Sequence, residues 1–595
     1  MTELFDFHRR KFVTGALALG GVAVTSPAHS WGRARRDAHM HTQTMSALAG
    51  ERFELVIGEI PVNLTGRPAR AKVVNGMLPA PTLHWREGST VELAVRNALA
   101  EDTSIHWHGI LVPANMDGVP GFSFHGIAPG ESYLYRFRLR QAGTYWYHAH
   151  SSMQEATGVY GAIVIEPREG HRVHADRDHV IVLSDWSDED PHAIQRKLKI
   201  MGHYYNRHLR TVGNFLRDAG RDGLRATLKD RGAWGRMRMS PTDLADVTAL
   251  TYTYLVNGST PAGNWTALFK HGEKVRLRFI NASAMTYFDV RIPGLKMTVV
   301  AADGLDVEPV TIDEFRIGVA ETYDVIVEPA ERPYTIFAQA MDRGGHARAT
   351  LSPAPGLEAA VPSLDQRPLL TMADMGHGAM GDREMKCGAS MKKSETAEMK
   401  CGTGVCGTAI KDTHGGHGNM AKISHLASES DNPDVDMQTM TPSRGINDPG
   451  IGLRNNGRRV LTYGDLKSTF PLPDPRTPGR DIELHITGNM ERYVWGFNGI
   501  PFSKAQPIRL NYGERVRIVL VNDTMMEHPI HLHGLWSDLE SMEGEFQVRK
   551  HTVSVPPGHV RSIRVTADAL GRWAFHCHML MHMEMGMFRE VRVEA

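Results

Sequence analysis

Cysteine is nearly absent from this chain. Four occur in 595 residues, Cys387, Cys401, Cys406 and Cys577, too few for an extensive disulfide framework if Cys577 has a separate use. An excess of one charge is missing as well. The 67 Lys and Arg equal the 67 Asp and Glu, which removes any general attraction for nucleic acid or an anionic surface. Long apolar runs are also missing. The apolar stretch that ends at Val24 is rich in Gly and Ala and shorter than the roughly 20 residues that span a bilayer. It follows Arg9-Arg10-Lys11-Phe12 and precedes Ser26-Pro27-Ala28. A basic region, a short apolar region and a small-X-small pattern read as an export signal, and adjacent Arg9 and Arg10 point to the twin-arginine machinery. Residues 1–30 are therefore read as a leader. The expected product is periplasmic, without stable membrane insertion. Its length calls for three or four domains.

Histidine is abundant, and its placement is informative. The chain has 31 His, and four pairs are spaced i, i+2: His106/His108, His148/His150, His531/His533 and His576/His578. On an extended segment such pairs share a face, so each can offer two imidazoles to one centre. A single pair is weak evidence, because chance supplies some. The last pair, however, flanks Cys577, and His582 and Met587 follow. One thiolate, two imidazoles and a weak thioether form the donor set of a blue copper site. Cys577, His582 and Met587 supply three of these donors, and His528 supplies the second imidazole. The eight paired imidazoles suffice for a three-copper cluster.

The blocks His106-Trp107-His108-Gly109, His148-Ala149-His150, His528-Pro529-Ile530-His531-Leu532-His533-Gly534 and His576-Cys577-His578 through Met587 resemble the four signature segments of the multicopper oxidases, the laccase-like family. The resemblance implies four copper ions. His528, Cys577, His582 and Met587 resemble the type 1 ligands, and His106 and His531 the type 2 ligands. His108, His148, His150, His533, His576 and His578 resemble the ligands of the type 3 pair. Met at 587 fits the bacterial branch. Asp117 resembles a carboxylate that family members place near the cluster for proton delivery. A turn residue before Gly118 is the competing reading.

A pattern recurs three times. Asn75-Gly76, Asn257-Gly258 and Asn498-Gly499 each precede a Gly, an alternating apolar run and a closing Asn, at Gly88 to Asn97, Gly272 to Asn281 and Gly513 to Asn522. Alternation bounded by Asn-Gly and Gly is the pattern of half-buried strands and turns. Repeats of this size point to an all-β chain of three β-sandwich domains, which the resemblance names Greek-key cupredoxin domains. We place them at 48–168, 175–356 and 457–595. The first and third hold the copper blocks, and Ala149 stands where Cys577 stands. The second has no His pair and reads as a spacer.

Two insertions depart from the repeat. Mixed apolar and basic spacing over about 192–232 predicts a helical excursion. Residues 372–440 have little to build a core with and much Met, His, Cys, Gly and Lys, so they read as a flexible low-complexity segment. Thioethers and thiolates select Cu(I), which makes extra copper capture the favoured reading over a plain linker. The expected activity is one-electron oxidation of substrate coupled to four-electron reduction of O2 to water. Met525, Met526, Met579, Met581, Met583 and Met585 crowd the type 1 motifs and favour Cu(I) as reductant, in the service of copper resistance, although Met also fills irregular cores. A phenol-oxidising laccase is the alternative enzyme. A non-catalytic copper-sequestering protein is the alternative of a different class, and it would not need all eight paired imidazoles. A copper nitrite reductase would not need them either.

Overall fold

A computed structural model describes residues 46–377 and 423–595. The expected leader with Arg9 and Arg10, and the stretch with Cys387, Cys401, Cys406, His414 and His417, lie outside the described residues. Strands dominate, arranged in six sheets that form three pairs. The first pair joins a four-stranded sheet built on Arg52–Val62 and Thr90–Asn97 to a five-stranded sheet that ends in Gly143–His148 and His106–His108. The second pair has six and five strands between Arg177 and Ser352, and the third has six and five between Arg480 and Glu594.

The repeated Asn residues have a structural reason. Asn75, Asn257 and Asn498 take positive φ, as do the glycines that follow, which is the backbone of a tight hairpin turn. Each Asn side chain also accepts one backbone N–H at 2.7 Å, from Val56, Val182 and His485 respectively. The closing residues Asn97, Asn281 and Asn522 are fully buried. Each donates to two backbone carbonyls and accepts from a backbone N–H two residues on. Each thus clamps the end of its strand to the loop that follows. In domains one and three that loop leads directly into the strand that opens with His106 or His528.

Strand pairing then brings the blocks together. His106–His108 runs antiparallel to Gly143–His148, with His106 opposite His148. His528–Leu532 runs antiparallel to Gly571–Cys577, with His531 opposite His576 and Ile530 opposite Cys577. Between Arg177–Trp186 and Thr253–Val256, two paired strands of the second domain, the insertion forms helices α1 (Pro191–Ile200), α2 (Val212–Asp222) and α3 (Leu224–Arg236). Asp190 caps α1, with Pro191 at its first position, and Thr211 caps α2 with Asn214, both standard helix starts. Among the described residues no helix is long and apolar enough to cross a membrane.

The 372–440 reading needs correction at its ends. Met375 is fully buried in the core, so it is unavailable for copper capture, and Met437 is buried too. Thr439 N–H donates to Asp523 Oδ1 at 2.8 Å and Thr441 N–H to the Gly376 carbonyl at 3.0 Å. The two flanks therefore pair with each other and with domain three. Composition reads such a stretch as loose because it has few aliphatics, yet a few thioethers and backbone hydrogen bonds suffice to dock it.

Candidate metal centres

The expected ligands gather in two places. At the first, His528 Nδ1 lies 3.5 Å and His582 Nδ1 3.8 Å from Cys577 Sγ, and the two nitrogens are 3.2 Å apart. Their other nitrogens are already engaged, His528 Nε2 with Thr524 Oγ1 at 2.7 Å and His582 Nε2 with Asp246 Oδ2 at 2.6 Å. Both rings therefore present Nδ1 to the sulfur. The buried Met587 joins by backbone: its carbonyl accepts from Cys577 N–H at 3.1 Å and its N–H donates to the His582 carbonyl at 3.0 Å. Among the described residues Cys577 is the free cysteine. Burial pushes its thiol well up, so a bound cation must draw off the proton to make a thiolate.

The second place is a chamber between domains one and three. His108, His148 and His578 form one trio, His150, His533 and His576 another, and His106 and His531 meet beside His108. All eight are buried except His150, which is partly buried. Burial, followed by repulsion from neighbouring imidazoles, lowers the pKa of most of them, and His576 falls to about 3. The rings so shifted are neutral at physiological pH.

The residues fit metal. Five rings donate Nδ1–H to fixed acceptors: His106 to the Asp117 carbonyl at 2.8 Å, His148 to the Ala149 carbonyl at 3.0 Å, His531 to the His551 carbonyl at 2.6 Å, His533 to Asp117 Oδ2 at 2.9 Å and His576 to the Cys577 carbonyl at 2.9 Å. That leaves each Nε2 as a bare lone pair. His106 Nε2 and His531 Nε2 are buried with no hydrogen-bond partner among the described residues. His533 and His576 point Nε2 at each other across 3.0 Å. Lone pairs arranged this way repel unless a cation lies among them, and outer acceptors of this kind orient metal-bound His.

Several participants lie outside the sequence blocks. Glu155 Oε2 is 2.8 Å from His148 Nδ1, and burial pushes its carboxyl well above the usual range. His551 Nδ1 is 3.1 Å from His108 Nε2, and it packs so close to Gly109, at positive φ, that a Cβ there would meet its ring at 2.4 Å. This contact accounts for the glycine of the first block. The second domain does more than space the others. Its Asp246 holds His582, and its Asp303 accepts from the N–H groups of His551 and Thr552. These four residues arrive from separate segments, so motif spacing does not reveal them. Asp117, which spacing does reveal, touches both His106 and His533. Of the crowding methionines, Met525, Met526, Met579 and Met581 are core residues.

A thiolate centre joined through adjacent residues to an eight-imidazole chamber defines a copper-dependent oxidase built on cupredoxin-like sandwiches. Three family models, each described as multicopper oxidase, match residues 57–170, 177–355 and 475–595, and the chain belongs to the multicopper oxidase family, whose members use type 1, 2 and 3 copper. It is 58% identical to Copper resistance protein A of Escherichia coli, covering 99% of this chain and 100% of that one. It is 57% identical to a Copper resistance protein A homolog of Pseudomonas syringae pv. tomato, covering 98% and 99%. The fold resembles that of Fet3p, described as a multicopper oxidase that functions in iron import (TM-score 0.62, 19% identity, 92% and 90% covered). It also resembles that of a laccase from Botrytis aclada (TM-score 0.58, 19% identity, 92% and 88% covered).

Proposed function

We propose that this oxidase is periplasmic, reaches its compartment by the twin-arginine route and oxidises Cu(I) to Cu(II) in copper resistance, with O2 as the electron acceptor. His528, Cys577, His582 and Met587 would hold type 1 copper, His106 and His531 type 2, and the two His trios the type 3 pair. Bound copper supplies the one-electron entry point at Cys577 and the four-electron reduction of O2 to water in the chamber. The protein's own contribution is wiring, orientation and protons. Cys577 is bonded through its backbone to His576 and His578, one in each trio. Asp117 bridges two ligand rings and serves as a proton relay, and Glu155, whose carboxyl burial pushes upward, stands beside His148 as a second group for proton delivery.

The observation that carries the Cu(I) reading is a cleft of about 430 Å³ lined by Met201, Met239, Met490 and Met525 with His203 and Asp243. Thioethers are soft ligands suited to Cu(I); Met201 is exposed at the cleft and Met239 half-buried, while Met490 and Met525 are buried. The turn that carries Asp243 also carries Asp246, the partner of His582 Nε2. Asp436, on the returning flank of the Met-rich segment, accepts from Met490 N–H at 2.7 Å and pairs with Arg238 of the cleft wall at 2.6 Å. The segment therefore re-enters the fold at the cleft, where captured Cu(I) can be handed over.

The test compares the intact protein with one lacking 378–422, at matched copper content, on limiting Cu(I) and on a small phenol. The expected result is slower Cu(I) oxidation with phenol turnover kept or raised. Equal loss on both substrates would assign the segment a structural role, and no loss on either would make it a linker.

A further inference from the structure

Away from both copper centres, two histidines and two carboxylates converge where the flanks of the Met-rich segment are pinned. His485 Nδ1 lies 2.7 Å from Asp523 Oδ2 and 3.5 Å from Glu429 Oε2. His425 Nδ1 lies 3.4 Å from Asp523 Oδ2 and 3.1 Å from Glu429 Oε2. One ligand atom from each of the four residues falls within 4.8 Å of the others. A tetrahedral ion with bonds of about 2.0–2.1 Å spaces its ligands about 3.3 Å apart, in the middle of the observed distances.

The outer contacts are those of a ligand set. His425 Nε2 is 3.0 Å from the Thr439 carbonyl and His485 Nε2 is 3.0 Å from Glu483 Oε1. These acceptors hold the proton on Nε2 and turn the Nδ1 lone pair toward the carboxylates. Asp523 Oδ1 is fixed by Thr439 N–H at 2.8 Å. The Glu429 side chain is fully buried, yet its Oε1 has no hydrogen-bond partner among the described residues. A bare buried carboxylate oxygen is costly to keep, and a cation relieves it. Charge agrees. Two carboxylates with two neutral imidazoles carry two negative charges, the complement of a divalent ion.

We propose that His425, Glu429, His485 and Asp523 form a further metal site for a borderline divalent ion, with Cu(II) the tightest occupant and Zn(II) a close substitute. Imidazole with carboxylate suits both ions, and Cu(II) heads the affinity order among divalent first-row metals. The site's location gives it a use. Thr441 N–H and the Gly376 carbonyl tie the two ends of the segment together nearby, and Thr524, next to Asp523, holds the His528 ring. A bound ion would brace both the root of the segment and the loop leading to the type 1 ligands. Only the choice of Cu(II) as occupant rests on the Cu(I)-oxidase reading.

The test uses the full chain with its coppers loaded and Cys387, Cys401 and Cys406 changed to Ser, so that thiolates do not compete. Zinc is added, excess is removed by desalting, and bound zinc is counted by elemental analysis. The expected result is about one zinc per chain more than in the same protein carrying His485→Gln and Asp523→Asn. Glu429→Gln, close in size and shape, serves if that pair fails to fold, and should also lower the count. X-ray absorption at the zinc edge should show a nitrogen and oxygen shell with imidazole scattering. Equal zinc in parent and variants, or a shell without imidazole, would leave only an imidazolium–carboxylate network and overturn the proposal. None of these readouts depends on oxidase turnover, so failure of the Cu(I) reading leaves them interpretable.

Discussion

Removing copper and lowering the pH should unfold this protein far more readily than either change alone. Nine buried or partly buried imidazoles, of His108, His148, His150, His528, His531, His533, His551, His576 and His578, have pKa values held below 6.5 by burial first. In the unfolded chain each returns to about 6.5. A group whose folded pKa is depressed in this way takes up its proton on unfolding, so the stability present above pH 6.5 is lost as pH falls through that value. Between about pH 7 and about pH 6 each imidazole accounts for a loss of about 0.7 kcal/mol. All nine together approach about 6 kcal/mol, comparable to the whole stability of a domain. In the loaded protein metal occupies the lone pairs, and the same drop requires acid to displace it first. Urea unfolding followed by circular dichroism, at pH 7.5, 6.5 and 5.5, gives the comparison. The midpoint of the copper-free protein should collapse across this range while that of the loaded protein declines modestly. Parallel declines would show that the chamber imidazoles are not desolvated neutral groups, and the reasoning would fail.

Cys577→Ser should abolish the intense blue absorption and electron entry while circular dichroism stays unchanged; a purified variant that remains blue would remove Cys577 from the type 1 site. Asp117→Asn keeps the shape beside His533 but removes the carboxylate. It should leave the colour intact and slow reoxidation by O2 by about 10- to 100-fold, measured by stopped flow after full reduction, and an unchanged reoxidation rate would return Asp117 to the role of a turn residue. Replacing Arg9 and Arg10 with Lys should strand the precursor in the cytoplasm, and normal periplasmic accumulation by fractionation would contradict twin-arginine export.

The ligand blocks are legible in the sequence because the site is built on strands. His106/His108 and His576/His578 share faces at i, i+2, and Cys577 between them needs no tertiary information to stand out. The repeated Asn-Gly turns and closing Asn residues are legible for a similar reason: Asn75 and Asn97 each perform a local backbone task, and the task recurs in every domain. Methionine is harder to read. The thioether serves as soft ligand and core filler alike, so the exposed Met201 of the cleft and the buried Met581 of the core look the same on paper.

By itself the sequence determined the class of chemistry and the number of sandwich domains and picked out the candidate ligands, since those follow from short-range periodicity and from which side chains can bind copper. Tertiary structure alone decided what surrounds the ligands. Asp246 reaches His582 across 336 positions, Asp303 reaches the N–H of His551 across 248, and His425 meets Asp523 only because the flanks of a core-poor segment dock on domain three. Contacts of that kind depend on how finished sheets pack against one another, and no local pattern along the chain encodes them.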